Sequence, residues 1–199
     1  MAKPIFLLST VLLSFLASAA GQSTTAVRDT AGKELRRASR YYILPLRRGS
    51  GGGLTLAARK GRCPLYVAQE IFEVARGLPV TFRPVDPKDA VVRLSTDQNV
   101  EFAAATVCAQ STVWKLGDLD GSTKRRYVTT GGALGNPGLG TVSNWFKIER
   151  SGMDYKLVFC PTVCKFCKVL CGDVGVFYEN GRRYLGLSAQ PFPVMFKKA

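Results

Sequence analysis

The sequence predicts an all-β domain cross-linked by three disulfides, and three observations support this prediction. About a dozen short runs of β-branched and aromatic residues are separated by turn-forming residues along most of the chain. Six cysteines follow an N-terminal segment that is typical of secreted proteins. No long stretch with helical periodicity interrupts the strand-like runs. A closed barrel or a two-layer sandwich would accommodate this pattern, which does not choose between them.

The N-terminus has the parts of a secretory signal peptide. Lys3 is the basic flank, residues 5–16 form a predominantly apolar run, and small residues lead up to the cleavage site. The apolar run is too short for a membrane anchor, and no other segment is apolar enough to span a bilayer. We therefore expect residues 1–20 to be removed near Ala19 to Gly21. The protein would then be secreted, to the extracellular space or to a vacuole.

The remainder, residues 21–199, shows no change in composition that would divide it, so we expect one domain. Many of its strand-like runs alternate apolar with polar residues, as half-buried strands do. Asn180 and Gly181 stand between two such runs and are a strong hairpin signal. Residues 69–76 are the best helix candidate, but they are short and uncapped, and we interpret them as loop or strand edge. The predicted runs are residues 41–44, 54–56, 65–67, 80–82, 91–94, 100–102, 113–116, 127–129, 145–148, 155–159, 174–178, 184–187 and 194–196.

Secretion determines how the cysteines are interpreted, because an even number in an oxidising compartment indicates disulfides. Cys63 and Cys108 are isolated, whereas the other four lie within twelve residues. The simplest pairing joins the two isolated cysteines and closes the cluster on itself. A structural zinc site is the alternative, and it is disfavoured because zinc ligands usually come in two well-separated pairs. The clustered cysteines are Cys160, Cys164, Cys167 and Cys171.

Basic residues outnumber acidic ones by 28 to 14, which gives a formal charge of +14. They are scattered in pairs and triplets, and no nucleic-acid recognition motif accompanies them. A solvated basic surface explains them most simply. An acidic polysaccharide or an anionic membrane surface is the candidate partner for such a charge, whereas specific nucleic-acid binding and a membrane span are not expected.

The chain contains no histidine. This excludes Ser–His and Cys–His nucleophile pairs and histidine-ligated metals. Asp118 and Asp120 are close in sequence, but the glycines around them indicate a solvated loop. We therefore expect no enzyme activity, no metal and no cofactor.

Several stretches match, in order, the characteristic blocks of a known family. Residues 27–35 read VRDTAGKEL and residues 41–44 read YYIL, and the cysteine cluster and the C-terminal residues 194–198 continue the match. On these residues the chain resembles the plant Kunitz-type (soybean trypsin inhibitor) family. The cluster is similar to the miraculin-like branch, which carries three disulfides instead of two. Further matching blocks are residues 63–69, 111–114, 144–149 and 155–161.

The resemblance implies a β-trefoil, in which six hairpins build a short barrel and its cap with pseudo-threefold symmetry. It also implies nested disulfide pairing within the cluster. The implied pairs are Cys63–Cys108, Cys160–Cys171 and Cys164–Cys167.

The resemblance further implies inhibition of secreted or digestive serine proteases by an exposed, substrate-like loop. The loop would lie between the runs at residues 80–82 and 91–94, with Lys88 as the specificity residue for a trypsin-like target. A loop already held in its bound shape loses little entropy on docking, so its contact energy is retained as affinity. The expected reactive loop is Asp86, Pro87, Lys88, Asp89 and Ala90.

Three features favour an alternative, a non-inhibitory defence, storage or ligand-binding protein on the same scaffold. Asp86 followed by Pro87 is a type I turn signal, and a closed turn does not fit a protease cleft, which takes extended substrate. Asp89 would put an acid directly after the scissile bond. Arg37 stands where the inhibitors have an asparagine that braces the loop, and we expect that an arginine cannot repeat the hydrogen bonds of that amide.

Overall fold

The computed structural model describes residues 25–199, so the predicted signal peptide lies outside the described residues. Among these residues no helix combines the length and the apolar composition needed to cross a membrane. In this part of the chain, one short 3₁₀ helix, Leu139–Asn144, accompanies twelve strands. The strands are β1 (Arg40–Pro45), β2 (Leu54–Ala57), β3 (Tyr66–Gln69), β4 (Val80–Pro84), β5 (Gln98–Phe102), β6 (Lys115–Leu119), β7 (Arg126–Thr129), β8 (Lys147–Ser151), β9 (Asp154–Phe159), β10 (Gly172–Glu179), β11 (Arg182–Ser188) and β12 (Pro193–Lys198).

Six strands close into a barrel. Antiparallel pairs join β12 to β1, β1 to β4, β4 to β5, β8 to β9 and β9 to β12. The remaining gap between β5 and β8 is bridged at Gln98 and Phe146, whose backbones exchange two hydrogen bonds of 2.9 Å. Closure leaves no free sheet edge around the barrel.

The other six strands form three hairpins, β2–β3, β6–β7 and β10–β11, that cap one end of the barrel. The second strand of each hairpin pairs with its counterparts, because β3, β7 and β11 are bridged to one another. A strand, a hairpin and a strand are thus repeated three times along the chain. This arrangement confirms the β-trefoil that the family resemblance implied.

The threefold pattern extends to side chains in the cap. Tyr66, Tyr127 and Tyr184 come from β3, β7 and β11, and their ring centroids lie 6.0, 6.0 and 6.3 Å apart in edge-on contact. Such edge-on geometry is favourable for aromatic rings. The guanidinium of Arg59 lies over this triangle, 4.0 Å from the centroid of Tyr127.

Apolar side chains from all three repeats fill the inside of the barrel. In β1 the side chains of Tyr41 and Ile43 are buried while their neighbours are more exposed, which is the alternation expected of a strand with one face inward. Rings from distant strands meet edge-on across the barrel. Phe82 contacts Phe196 in this way, with ring centroids 5.5 Å apart.

All six cysteines form disulfides, in the pairing that the family resemblance implied. Cys63 is bonded to Cys108, which ties the β2–β3 connection to the β5–β6 connection. The clustered cysteines close on themselves between β9 and β10 and leave no free thiolate there. Their pairs are Cys160–Cys171 and Cys164–Cys167.

The local predictions around turns are confirmed in two places. Asn180 and Gly181 form the two-residue loop of the β10–β11 hairpin, with φ angles of 50° and 73°. Both angles are positive, as a type I′ turn requires. Residues 69–76 form no helix, because β3 ends at Gln69 and turns and bends follow.

Candidate functional site

The candidate loop connects β4 to β5, but the strand predicted after it is absent. Residues 91–94 form isolated bridges to the N-terminal segment instead, joining Val91 to Arg36 and Arg93 to Ala26. The apolar residues there pack under the loop, since Val92 is completely buried. The N-terminal segment therefore lies along the second half of the loop.

Backbone hydrogen bonds hold both ends of the loop. The amide of Val85 donates to the carbonyl of Asp97 at 2.8 Å, which closes the base of the loop. The amide of Arg37 donates to the carbonyl of Ala90 at 3.0 Å, and Leu35 and Val92 continue this contact with a bond of 2.9 Å. The exposed segment between these anchors is short.

The apex of the loop is a closed turn. The amide of Asp89 donates to the carbonyl of Asp86 at 3.2 Å, which is the bond that defines a four-residue β-turn. The side chain of Asp86 also accepts a 2.8 Å bond from the amide of Lys88. The turn signal in the sequence is thus confirmed, and Lys88 occupies the third position of the turn.

The side chains at the apex point to solvent. Asp86, Pro87, Lys88 and Ala90 are exposed, and Asp89 is half-buried. Lys88 forms no salt bridge with any residue between 25 and 199. Its ammonium is therefore available to an external acidic group.

Arg37 contacts this turn from the N-terminal segment. Its Nη1 atom donates to the carbonyl of Pro87 at 2.6 Å and lies 3.5 Å from the carbonyl of Asp86. Arg37 therefore contacts the loop, but through bonds different from those that an asparagine amide can make. The guanidinium only donates, so it bonds carbonyl groups and leaves the loop amides to the turn itself.

A buried carboxylate behind the loop was not predicted. Asp97 Oδ2 accepts bonds from the backbone amide and the hydroxyl of Thr162, at 2.8 and 2.6 Å, and Lys147 Nζ lies 3.8 Å from its other oxygen. Asp97 thereby links the base of the loop to the chain beside the cysteine cluster. No local signal identifies this contact, because Thr162 is 65 residues away in sequence.

Comparisons with known proteins agree on one family. A model of Kunitz type, described as trypsin and protease inhibitor, matches residues 27–198. Kunitz trypsin inhibitor 5 of Arabidopsis thaliana is 47% identical over 196 residues, which cover 98% of this chain and 96% of that protein. Miraculin from Synsepalum dulcificum is 49% identical over 193 residues, covering 92% of this chain and 87% of that protein.

A solved structure shows the same fold. A Kunitz-type cysteine protease inhibitor from potato superposes with a TM-score of 0.77 at 32% identity. The superposition covers 88% of this chain and 98% of the potato chain. The barrel and its cap thus have the same fold as this Kunitz-type inhibitor.

Proposed function

Because the chain belongs to the Kunitz family of plant trypsin and protease inhibitors, we propose that it inhibits trypsin-like serine proteases through Lys88. Such proteases carry a buried aspartate in the specificity pocket, which selects a lysine or arginine side chain. The exposed position of Lys88 at the apex of the loop is the observation that carries the proposal. Lys88–Asp89 is the candidate scissile bond.

The contact of Arg37 with the loop supports this proposal. Its 2.6 Å bond to the carbonyl of Pro87 restrains the residue just before Lys88. A restrained loop loses less entropy on docking than a free one, so more of the contact energy remains as affinity. Arg37 thus braces the loop by donating to a carbonyl group, whereas an asparagine amide can both donate and accept.

The turn at the apex sets a limit on the affinity. To extend in the protease cleft, the loop has to break the hydrogen bonds from the amides of Lys88 and Asp89 to Asp86. Each such bond contributes about 0.5–1.5 kcal/mol. We therefore expect inhibition to be weaker, by about one to two orders of magnitude, than for a loop that is already extended.

The same turn favours a second candidate function. If the turn does not open, Lys88 remains exposed but the backbone beside it cannot align with the cleft. The protein would then be a non-inhibitory defence, storage or ligand-binding protein on this scaffold, since a trefoil by itself does not specify an activity.

Titration of trypsin with the purified protein separates the two candidates. Inhibition is expected at micromolar protein, and Lys88→Ala should abolish it because the side chain for the specificity pocket is lost. Arg37→Ala should weaken inhibition by about tenfold through the lost brace. Arg36→Ala is the matched control, because its side chain is exposed and forms a surface pair with Glu34 at 3.7 Å.

Absence of inhibition by the wild-type protein, or equal inhibition by Lys88→Ala, would overturn the proposal for trypsin. A panel with chymotrypsin, subtilisin and a papain-like enzyme then addresses the target class. The papain-like enzyme belongs in the panel because the potato relative is described as a cysteine protease inhibitor.

The proposal includes secretion, because the target proteases are extracellular, vacuolar or digestive. It is supported by the basic and apolar composition of residues 1–20. N-terminal sequencing of the protein purified from plant cells is expected to begin near Gly21, and a retained Met1 would contradict it.

A further inference from the structure

A groove away from the Lys88 loop has the size of a small-molecule site. It is about 570 Å³ in volume and lies between β6, the 3₁₀ helix and the disulfide-clipped chain at residues 164–170. This volume is within the range of ligand pockets, which are mostly apolar with a few polar groups at defined places. Its apolar lining includes Leu116, Leu139, Val142, Phe166 and Leu170.

Three large apolar side chains of this groove are exposed to solvent. Phe166 is 98% exposed, Leu139 is 77% exposed and Leu170 is 66% exposed. Single exposed apolar side chains are common, but a group that lines one groove indicates a binding surface. An occupant of the groove would bury part of each of these side chains.

The small disulfide ring restrains the backbone that carries the most exposed of these side chains. Phe166 lies inside the ring closed by Cys164 and Cys167, which are three residues apart. A ring this small adds little to global stability by restricting the unfolded chain. It does limit the backbone freedom of Phe166, so the protein loses less conformational entropy when a ligand packs against the ring.

The charges around the groove are predominantly positive. Lys115, Arg126 and Lys168 line it together with a single carboxylate, that of Asp118. Arg126 is held in place by a 3.2 Å bond from Nη1 to the carbonyl of Gly117. In the described part of the chain neither Lys115 nor Lys168 has a salt-bridge partner.

Two further acidic side chains near the clipped chain lie on its other side. Glu149 and Asp173 line a separate groove, which shares Leu170 with the first one. Asp173 is also paired with Lys156 at 2.7 Å. Lys115 and Lys168 thus line the groove that contains Phe166, whereas Glu149 and Asp173 line the groove on the other side of the clipped chain.

We propose that this groove binds a small amphipathic anion, with an aryl or alkyl body and a carboxylate or sulfonate group. The apolar body packs against Phe166 and Leu139, and the anionic group lies between the ammonium groups of Lys115 and Lys168. This ligand fits both features of the groove, since a neutral apolar molecule leaves the cations unpaired and a hydrophilic anion leaves the apolar surface exposed.

Fluorescence titration tests the proposal with two probes that differ in charge. Anilinonaphthalene sulfonate carries an aryl body and a sulfonate, and its uncharged parent N-phenylnaphthylamine lacks the anionic group. Saturable binding of the sulfonate at one site per chain is expected, with the uncharged probe bound at least about fivefold more weakly. Equal affinity for both probes would show that the cations have no part in binding.

Two variants separate the contribution of apolar contacts to probe binding from the contribution of the charged groups. Phe166→Ser is expected to weaken binding of both probes by at least about fivefold. The double variant Lys115→Gln with Lys168→Gln should weaken binding of the sulfonate by a similar factor and leave binding of the uncharged probe unchanged. Met153→Ser and Lys33→Gln are the matched controls, because Met153 is 92% exposed outside the groove and Lys33 lines a different one.

Unchanged sulfonate binding in Phe166→Ser would overturn the proposal. Gel filtration of the wild-type protein that shows a dimer, lost in Phe166→Ser, would assign the groove to a second copy of the chain instead. Because Lys88 is not part of this groove, inhibition of trypsin by Phe166→Ser is expected to be unchanged.

Discussion

The guanidinium of Arg59 lies 2.8 Å from the carboxylate of Asp120, and only 2% and 7% of the two side chains are exposed. The same guanidinium donates to Glu179 Oε2 from two nitrogens, at 3.0 and 2.9 Å. Arg59, Asp120 and Glu179 belong to the three hairpins of the cap. One buried cation thus joins all three repeats at the pseudo-threefold axis.

Replacement of Arg59 is expected to destabilise the cap strongly. Arg59→Met keeps much of the apolar volume but leaves the carboxylates of Asp120 and Glu179 without their guanidinium. Removing one partner of a buried ion pair lowers the free energy of unfolding by about 3–5 kcal/mol. Lys60 still pairs with Asp120 at 2.7 Å, so we expect a value near the lower end.

Guanidinium chloride denaturation at neutral pH measures this change, with Arg36→Met as the control. The Arg36–Glu34 pair is exposed and its atoms are 3.7 Å apart. Loss of such a surface pair changes the free energy of unfolding by less than about 1 kcal/mol. Similar destabilisation by both variants would contradict the role given to Arg59.

The cap should also make the protein sensitive to acid. Hydrogen bonds from Lys60, Ser122 and Arg59 hold the pKa of Asp120 well below its usual range. Burial opposes a low pKa at Glu179, but its hydrogen bonds, foremost from Arg59, still lower the pKa of that carboxylate. A folded-state pKa below the unfolded one stabilises the protein fully above the unfolded value of about 4. That stabilisation is lost as the pH falls below about 4 towards the folded-state pKa.

Denaturation midpoints measured from neutral pH down to strongly acidic pH check this dependence. Asp120→Asn is expected to be less stable than the wild type at neutral pH and to lose less stability on acidification. Asp118→Asn is the matched control, because Asp118 is exposed. If the denaturation midpoint of Asp120→Asn falls with pH as steeply as that of the wild type, the carboxylate of Asp120 does not control acid stability.

Weakening the turn at the apex of the loop should improve inhibition of trypsin. Asp86→Ala removes the acceptor of the 2.8 Å bond from the amide of Lys88. The loop then has one bond fewer to release when it extends, which corresponds to roughly 1 kcal/mol and a gain of about fivefold in affinity. Asp86→Asn keeps an oxygen acceptor while it removes the charge, so it should behave like the wild type. Weaker inhibition by Asp86→Ala would indicate that the turn itself is recognised.

The disulfides should contribute unequally to stability. Cys63–Cys108 links residues 45 apart, so its removal by paired serine substitutions is expected to lower the free energy of unfolding by about 4 kcal/mol on the chain-entropy model. Cys164–Cys167 links residues only three apart, and its removal should lower it by no more than about 2 kcal/mol. Thermal unfolding of the two double variants gives the comparison. Equal losses would mean that the small ring stabilises the fold by contacts rather than by chain restriction.

Local sequence patterns proved reliable where a few neighbouring residues define the geometry. The β10–β11 turn follows from Asn180 and Gly181, which readily adopt the positive φ angles that the hairpin needs. The turn at the loop apex follows from Asp86 and Pro87 in the same way. Residues 91–94 are the exception, because they pair with the N-terminal segment only through isolated bridges and form no continuous strand.

Contacts between distant parts of the chain were not accessible from those patterns. Nothing near Arg37 in sequence indicates that its guanidinium meets the carbonyl of Pro87, 50 residues later. Arg59 occurs in an ordinary basic stretch, yet it is buried because its partners Asp120 and Glu179 converge from two other hairpins.

The sequence by itself predicted the all-β class, the turns and the number of disulfides. The family resemblance implied the trefoil and the disulfide pairing. Only the tertiary structure revealed the contact of Arg37 with the loop, the ion network of the cap and the basic groove beside Phe166. The physical reason is range: backbone sterics and strand alternation act over a few residues, whereas these sites exist only after barrel closure brings remote segments within hydrogen-bonding distance.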